Sequence, residues 1–274
     1  MQLSANLDYL RPQKAELTRV GPQGDGGYVI PKQASTQIRS LYSVGISNNW
    51  DFEIQMAKLN PGMKIYAFDR TSGWQVFAFW ALRDIFKGDP SATTRQSVAE
   101  RFKSARKYLL LSLNFRSFFI GRRKFRRRWV KNTKNSGSEI SLKQSLSKVF
   151  GVGSTMIKID IEGGEYELSA ELISQIKQNE RLIDCIVMEF HDTVTKRTEF
   201  ETIVKGISNL FPIVHIHGNN CAGIASDGLP EVLEITFARS SCDEGNTLFP
   251  LQGLDCPNDK EFEDLSFSFS LQSH

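Results

Sequence analysis

Four cysteines in 274 residues, none of them in a C-x-x-C pair, exclude a disulfide lattice and a zinc framework. Cys185, Cys221, Cys242 and Cys256 read instead as reduced, buried or incidental thiols of a cytosolic protein. Long apolar runs are missing as well. The best, Tyr108 to Ile120, has 13 residues and is broken by Asn114 and Arg116, short of the roughly 18 that a spanning helix needs. The opening segment MQLSANLDYLRPQKAEL has no basic stretch leading into an apolar one, so no signal peptide is expected. Repeats and low-complexity tracts are absent. What is present is ordinary globular composition, 40 % apolar with 20 glycines, which excludes a disordered or fibrous chain. A chain of this length buries a full core without staples.

Charge is unevenly spread. Between Arg83 and Lys134 lie 16 Lys and Arg against three acids, Asp84, Asp89 and Glu100. The remainder then holds 18 basic and 28 acidic residues. An acidic body carries a strongly basic segment.

Apolar β-branched runs alternate with helix-like stretches, the pattern of a parallel α/β sheet. Strands are expected at 41–44, 64–69, 156–160, 182–190, 213–217 and 233–238. Helices are expected at 48–59, from Glu165 through Ile176, and around 200–210. The stretch from about 82 to 136 breaks this rhythm and reads as a basic, helical insertion projecting from one domain that spans 1–274.

The turn after the first strand, Gly45-Ile-Ser47, lacks the second and third glycines of a dinucleotide fingerprint, which argues against NAD. S-adenosylmethionine (SAM) has no pyrophosphate to cradle and does not need them. Asp69, closing the next strand, is placed to accept both ribose hydroxyls. An α/β turn with no ligand remains an alternative for this motif.

Several short motifs occur in a fixed order: Gly24-Asp-Gly-Gly-Tyr-Val29, LYSVGISNNWDFE, IYAFD, KIDIEGGEYE, VMEFH, HIHGNN, LPEVLEITF and Asp255-Cys-Pro-Asn258. In this order they resemble the FkbM-type methyltransferases, a class I SAM-dependent family. The resemblance implies a Rossmann-like, mostly parallel seven-stranded sheet with helices on both faces. It also implies methyl transfer to a hydroxyl of a sugar or related small molecule. Carried over, Gly45 and Ser47 would line SAM, Glu53 would hold the adjoining loop and Asp69 would bind the ribose. Asp25, Gly26, Gly27 and Tyr28 would form a wall near the cofactor, although GDGGY also reads as a tight turn capped by Asp25. The basic insertion departs from the family pattern.

Asp160, Glu162, Glu189, His191 and His217 fall at or just after expected strand ends, which form one ligand-binding rim in an open α/β sheet. Methyl transfer to an alcohol requires in-line attack and removal of the hydroxyl proton. His217 is the better base on this reading, and His191 the better metal or supporting residue. Alternatively Asp160, Glu189 and His217 would hold a divalent metal that acidifies the hydroxyl. Asn219 and Asn220, with Glu162, are candidates for holding the substrate. Glu165 reads as a first-turn helix acid, and His215 as a packed histidine.

The basic segment has three readings: a solvated excursion, an anchor for an anionic membrane surface through residues 108–134, or a nucleic-acid contact. The acidic body favours the membrane over nucleic acid. The expected protein is therefore a cytoplasmic SAM-dependent O-methyltransferase acting on a glycan, glycolipid or related hydroxyl, peripheral to the inner face of a membrane. Alternatives are an RNA or nucleotide methyltransferase recruited by the basic segment, and a non-catalytic SAM-fold scaffold on anionic membrane.

Overall fold

The computed structural model describes residues 2–87, 97–151, 153–239 and 245–270, so Cys242 lies outside the described residues. The other three cysteines are unpaired. Seven strands build the central sheet: β1 (Ser40–Val44), β2 (Lys64–Phe68), β3 (Arg123–Arg126), β4 (Thr155–Ile159), β5 (Ile183–Phe190), β6 (Ile213–Gly218) and β7 (Leu233–Ala238). Their order in space is β6-β7-β5-β4-β1-β2-β3. All neighbours are parallel except β7, which runs antiparallel to both β5 and β6. This is a Rossmann-like, mostly parallel seven-stranded sheet, the α/β fold that the motifs implied.

The strands are apolar throughout because both faces are covered. Residues two apart feed the same side of the sheet. Tyr42, Val44, Ile157, Ile159, Ile186 and Met188 join one core cluster, whereas Leu41, Met156, Cys185 and Val187 join the other. Helices α1 (Lys32–Gln37), α2 (Asp51–Leu59), α3 (Trp74–Lys87) and α4 (Val98–Phe118) cover the second face. Helices α5 (Leu142–Leu146), α6 (Ser169–Gln178) and α7 (Arg197–Ser208) cover the first. No helix among the described residues is long and apolar enough to cross a membrane.

The segment read as an insertion over 82–136 divides in two. Its first part is helical: α3 and α4 pack as an antiparallel hairpin. The Ser112 hydroxyl donates to the Trp74 carbonyl (2.9 Å), Tyr108 meets Trp80, and Arg101 donates to the Asp84 carbonyl (3.2 Å). A reciprocal capping box between Ser97 and Glu100 starts α4. Its second part is not an excursion, because Arg123–Arg126 is β3, the edge of the central sheet beside β2. Phe125 turns inward onto Phe115 (4.8 Å between ring centroids) and Phe119 (5.5 Å), while Lys124 and Arg126 face solvent. Charged side chains are an ordinary protection for an exposed edge.

Phe125→Ala should therefore lower stability by about 2 kcal/mol, the usual scale for losing a part-buried ring. Arg126→Ala, on the outer side of the same strand, should stay within about 0.5 kcal/mol of the wild type. Denaturant titration of both variants decides. Equal effects would mean that the strand is not part of the cooperative fold.

Candidate active site

The C-terminal ends of β1, β2, β4 and β5 make a rim at the centre of the sheet. Three non-glycine residues there adopt left-handed backbone: Ser47 after β1 (φ 44°), Glu162 after β4 (φ 53°) and Asp192 after β5 (φ 52°). Such conformations cost free energy and concentrate at functional sites. At Gly45 (φ 77°) a side chain is impossible, since a Cβ would run into the Asp160 carbonyl oxygen. The exits of β1 and β4 thus touch backbone to backbone.

Asp69 ties this turn to the end of β2. One carboxylate oxygen accepts the amides of Ile46 (3.1 Å) and Ser47 (2.8 Å). The other accepts the Thr71 amide and hydroxyl (2.7 Å each) and the Ser72 amide (3.2 Å). The Ser72 hydroxyl closes the ring on the Ser47 carbonyl. Five donors fill the capacity of a carboxylate. Asp69, read from sequence as a ribose ligand, is in this structure the anchor of the loop.

Two cavities flank the Gly45 turn. The first, about 430 Å³, lies between Phe68, Asp69 and Thr71, the stretch Arg128 to Lys131 that follows β3, and the stretch Asp160 to Gly164. The second, about 360 Å³, is lined by Asp25, Asn48, Asn49, Glu53, Lys158, Glu189, His191 and Asn219, among others. Gly45, Ser47, Asp160 and Glu162 border both. Of the residues expected around a cofactor, Gly45, Ser47 and Asp69 line the first cavity. Asp25 and Glu53 line the second. Tyr28 is buried beneath the rim, its hydroxyl donating to Asp160 (3.0 Å). Gly27 closes a turn so tight that a Cβ would meet the Pro22 carbonyl.

The second cavity is built around a residue that the sequence reading passed over. Lys158, only 3 % exposed, donates from Nζ to the Gly45 carbonyl (2.9 Å), lies 3.7 Å from Asp160 and sits over the Tyr28 ring. Burial works against its charge, but Glu53, Asp160, Glu189 and Asp25 outweigh that and hold its pKa above the usual lysine range. The signal was available: a lysine inside the apolar strand Met156-Ile-Lys-Ile159. Glu189 is pushed well above the usual carboxylate range by burial, then by the charges of Asp160 and Glu234. It is also held by the Asn219 amide (3.0 Å).

His191 enters the second cavity from the end of β5. Its Nδ1 meets the fully buried Glu165 at 2.9 Å, and its Nε2 lies 3.4 Å from the exposed Glu162. Burial alone would lower its pKa, yet the hydrogen bond and charge of Glu165, with Glu189 and Asp160 behind, raise it to about 9. Glu165 is thus more than a first-turn helix acid. Asp160, Glu162 and His191 each offer a donor atom, all within 4.8 Å of one another, and are the one such group found among the described residues.

His217 is elsewhere. It is 1 % exposed, lines neither cavity, and spends both ring nitrogens on Asp264 (3.0 Å) and Glu234 (3.4 Å). His215 bonds Asp255 through Nε2 (3.0 Å), and Asn258 donates to Glu234 (2.9 Å). Asn220 donates to the Asp259 carbonyl (2.8 Å) and accepts that residue's amide. These residues clamp the C-terminal segment across β6 and β7. The roles of base and metal ligand expected for His217, and of substrate contact expected for Asn220, have no geometric basis here. The Asp-x-Pro-Asn motif is part of the clamp.

No family model matches the chain, and no curated protein matches it by sequence. Among solved structures it is similar to the precorrin-6y C5,15-methyltransferase of Geobacter metallireducens GS-15, at 13 % identity over 76 % of this chain and 84 % of that one, with TM-score 0.37. It is also similar to the spermidine synthase of Thermotoga maritima, at 14 % identity over 74 % of this chain and 55 % of that one, with TM-score 0.38. A third is the fibrillarin pre-rRNA processing protein of Methanococcus jannaschii, at 10 % identity over 78 % of this chain and 70 % of that one, with TM-score 0.34. At such identities these likenesses concern the fold alone, and none of the three is described as FkbM-type.

Asp69→Ala should lower both the melting temperature and ligand affinity in the first cavity, because it frees five donors at once. A residue that only bound ribose would leave the melting temperature unchanged. Burial opposes the charge on His217, but Asp264 and Glu234 raise its pKa to about 10, against about 6.5 in an unfolded chain. A raised folded-state pKa stabilises fully below about 6.5, and that stability is lost as pH rises through about 10. Unfolding free energy should therefore fall between those limits, and Asp264→Asn should flatten the fall.

Proposed function

We propose that the chain is a SAM-dependent methyltransferase acting on a hydroxyl of a neutral, polyhydroxylated acceptor such as a glycan or related small molecule. The observation that carries this reading is the pair of cavities sharing the wall Gly45, Ser47, Asp160 and Glu162. The first suits SAM by volume and lining: Phe68, Trp129, Val130 and Ile161 offer apolar surface for a base, Thr71 and Ser47 offer polar contact for a ribose, and Asp160 and Glu162 offer negative charge. When bound, SAM supplies a methyl group made electrophilic by a sulfonium. The motif order that resembles the FkbM type supports the same reading.

The chain's own residues then have distinct tasks. Asn48, Asn49 and Asn219 offer amides, and Glu189 a carboxyl group, to the hydroxyls of an acceptor. Glu165 fixes the His191 ring through Nδ1 and leaves Nε2 facing the cavity; with a pKa of about 9, the neutral ring that can accept a proton there gains population as pH rises toward that value. On methyl transfer the acceptor's hydroxyl proton would pass to the neutral His191 ring at Nε2. Asp160 and Glu162, on the wall that the two cavities share, would offer negative charge to a sulfonium. A divalent ion held by Asp160, Glu162 and His191 would acidify the same hydroxyl instead. The RNA alternative fares worse, because Asp25, Asp160 and Glu162 would meet a phosphate backbone in the acceptor cavity.

Calorimetry with SAM and S-adenosylhomocysteine separates an enzyme from a scaffold that binds neither. Transfer of labelled methyl to sugars and to RNA then separates the acceptor classes, with sugars expected to be labelled. His191→Ala should cut kcat by about 100-fold or more with SAM affinity retained, the scale of a lost general base. Full activity in excess chelator would assign the proton to His191 without metal. Loss restored by one added divalent ion would assign the trio as its ligands.

A further inference from the structure

We infer that the α3–α4 hairpin and the β3 edge form a docking surface for an anionic lipid bilayer. The helices show an unusual outer face. On α3, Phe79, Leu82 and Phe86 lie on one side at helical spacing and are exposed, Phe86 to 76 %. On α4, Val98, Phe102, Leu109 and Leu113 form a second exposed stripe, and Ile120 follows the helix. Exposed apolar residues gathered on a surface element mark a contact site.

Both stripes run into one basic hollow. Gln75, one turn before Phe79 on the same face of α3, lines a cavity of about 670 Å³, and so does Arg116, one turn after Leu113 on α4. That cavity is otherwise walled by β3 and its flanks, including Arg123, Lys124, Arg126 and Arg127. Among the described residues none of these cations reaches a carboxylate. Arg123 lies over Phe118, Arg116 over Trp74 and Lys124 over Tyr66, while Arg127 donates to the Arg70 carbonyl (3.1 Å). Their charge is left for a partner.

Membrane is the partner that uses both halves. A bilayer takes the aliphatic and aromatic stripes into its interface while its anionic headgroups meet the arginines. Nucleic acid would satisfy the arginines but leave Leu82, Leu109, Leu113 and Ile120 exposed, since base stacking uses aromatic planes. A second copy of the chain would bring two unneutralised basic clusters together, which like-charge repulsion opposes. The apolar stretch recognised in sequence at 108–120 supplies only part of this surface. The α3 stripe, with Val98 and Phe102 of α4 and the cations of the β3 edge, lies outside that window.

The test is co-sedimentation of the full chain with phosphatidylcholine vesicles, alone or with about 30 mol % phosphatidylglycerol, at low salt and at about 0.5 M salt. Binding to the anionic vesicles at low salt is expected, with little to neutral ones and at least about tenfold less at high salt. The triple variant Phe79→Ser, Leu82→Ser, Phe86→Ser and the pair Arg126→Ser, Arg127→Ser should each weaken binding about tenfold, and circular dichroism should show both folded. All five residues are outside the two cavities of the active site, so SAM affinity should be unchanged. Equal binding to neutral and anionic vesicles, or binding to neither, overturns the proposal. So does a single-stranded RNA oligomer that binds more tightly than anionic vesicles at the same salt, or a dimer in sedimentation that the triple variant dissociates.

Discussion

The Lys158 ammonium is the group on which the rim depends. It is buried at the end of β4, under the Gly45 turn and among Glu53, Asp160, Glu189 and Asp25. Without a cation there, several carboxyl groups would share a desolvated space, and their mutual repulsion would drive them to protonate or the rim to open. With it, one donor holds the Gly45 carbonyl and one charge steadies Asp160. A buried ion pair is poor evidence of added stability, because desolvation takes back much of the attraction. Its effect is arrangement: it permits a cluster of acids to remain in one place.

Asp69 performs the complementary task on the other side of the turn. Lys158 gathers carbonyl and carboxylate oxygens, whereas Asp69 gathers backbone amides. Between them they fix the strained path through Gly45, Ile46 and Ser47. The two cavities are therefore not independent hollows. They are the two sides of one backbone turn, held by opposite charges from neighbouring strands.

Most of this sheet was legible in sequence because its strands are buried on both faces, and two of them, β2 and β4, run into an acid. Six were placed within a residue or so at each end. The seventh, β3, was hidden: one inward ring, Phe125, is all the apolar pattern that an edge strand of four residues retains among arginines. The site was legible in composition but not in assignment. Sequence puts His191 and His217 both at strand ends, and says nothing of strand order. In space β6 is the outermost strand, with β7 and β5 between it and β4. The crevice of an open α/β sheet opens at its centre, so a histidine ending β5 reaches it, whereas His217, within β6 and bonded to Asp264 and Glu234, does not. Spacing alone could not give the insertion of β7 between β5 and β6. Lys158 was missed for a different reason, since it was read as part of a motif and not as a charge in a core strand.

The two electrostatic objects noticed in sequence meet at the first cavity. One wall comes from the stretch Arg128 to Lys131, which leaves β3 and belongs to the basic segment; the other, Asp160 to Gly164, belongs to the acidic body. Lys131 pairs with Glu167 across this boundary. Arg128 lines both this cavity and the arginine hollow beside it. The basic segment is thus not an appendage to a finished domain. Its last strand completes the sheet, and the residues leaving that strand complete the cavity, so the segment could not be deleted to leave an ordinary edge without removing a wall of the site.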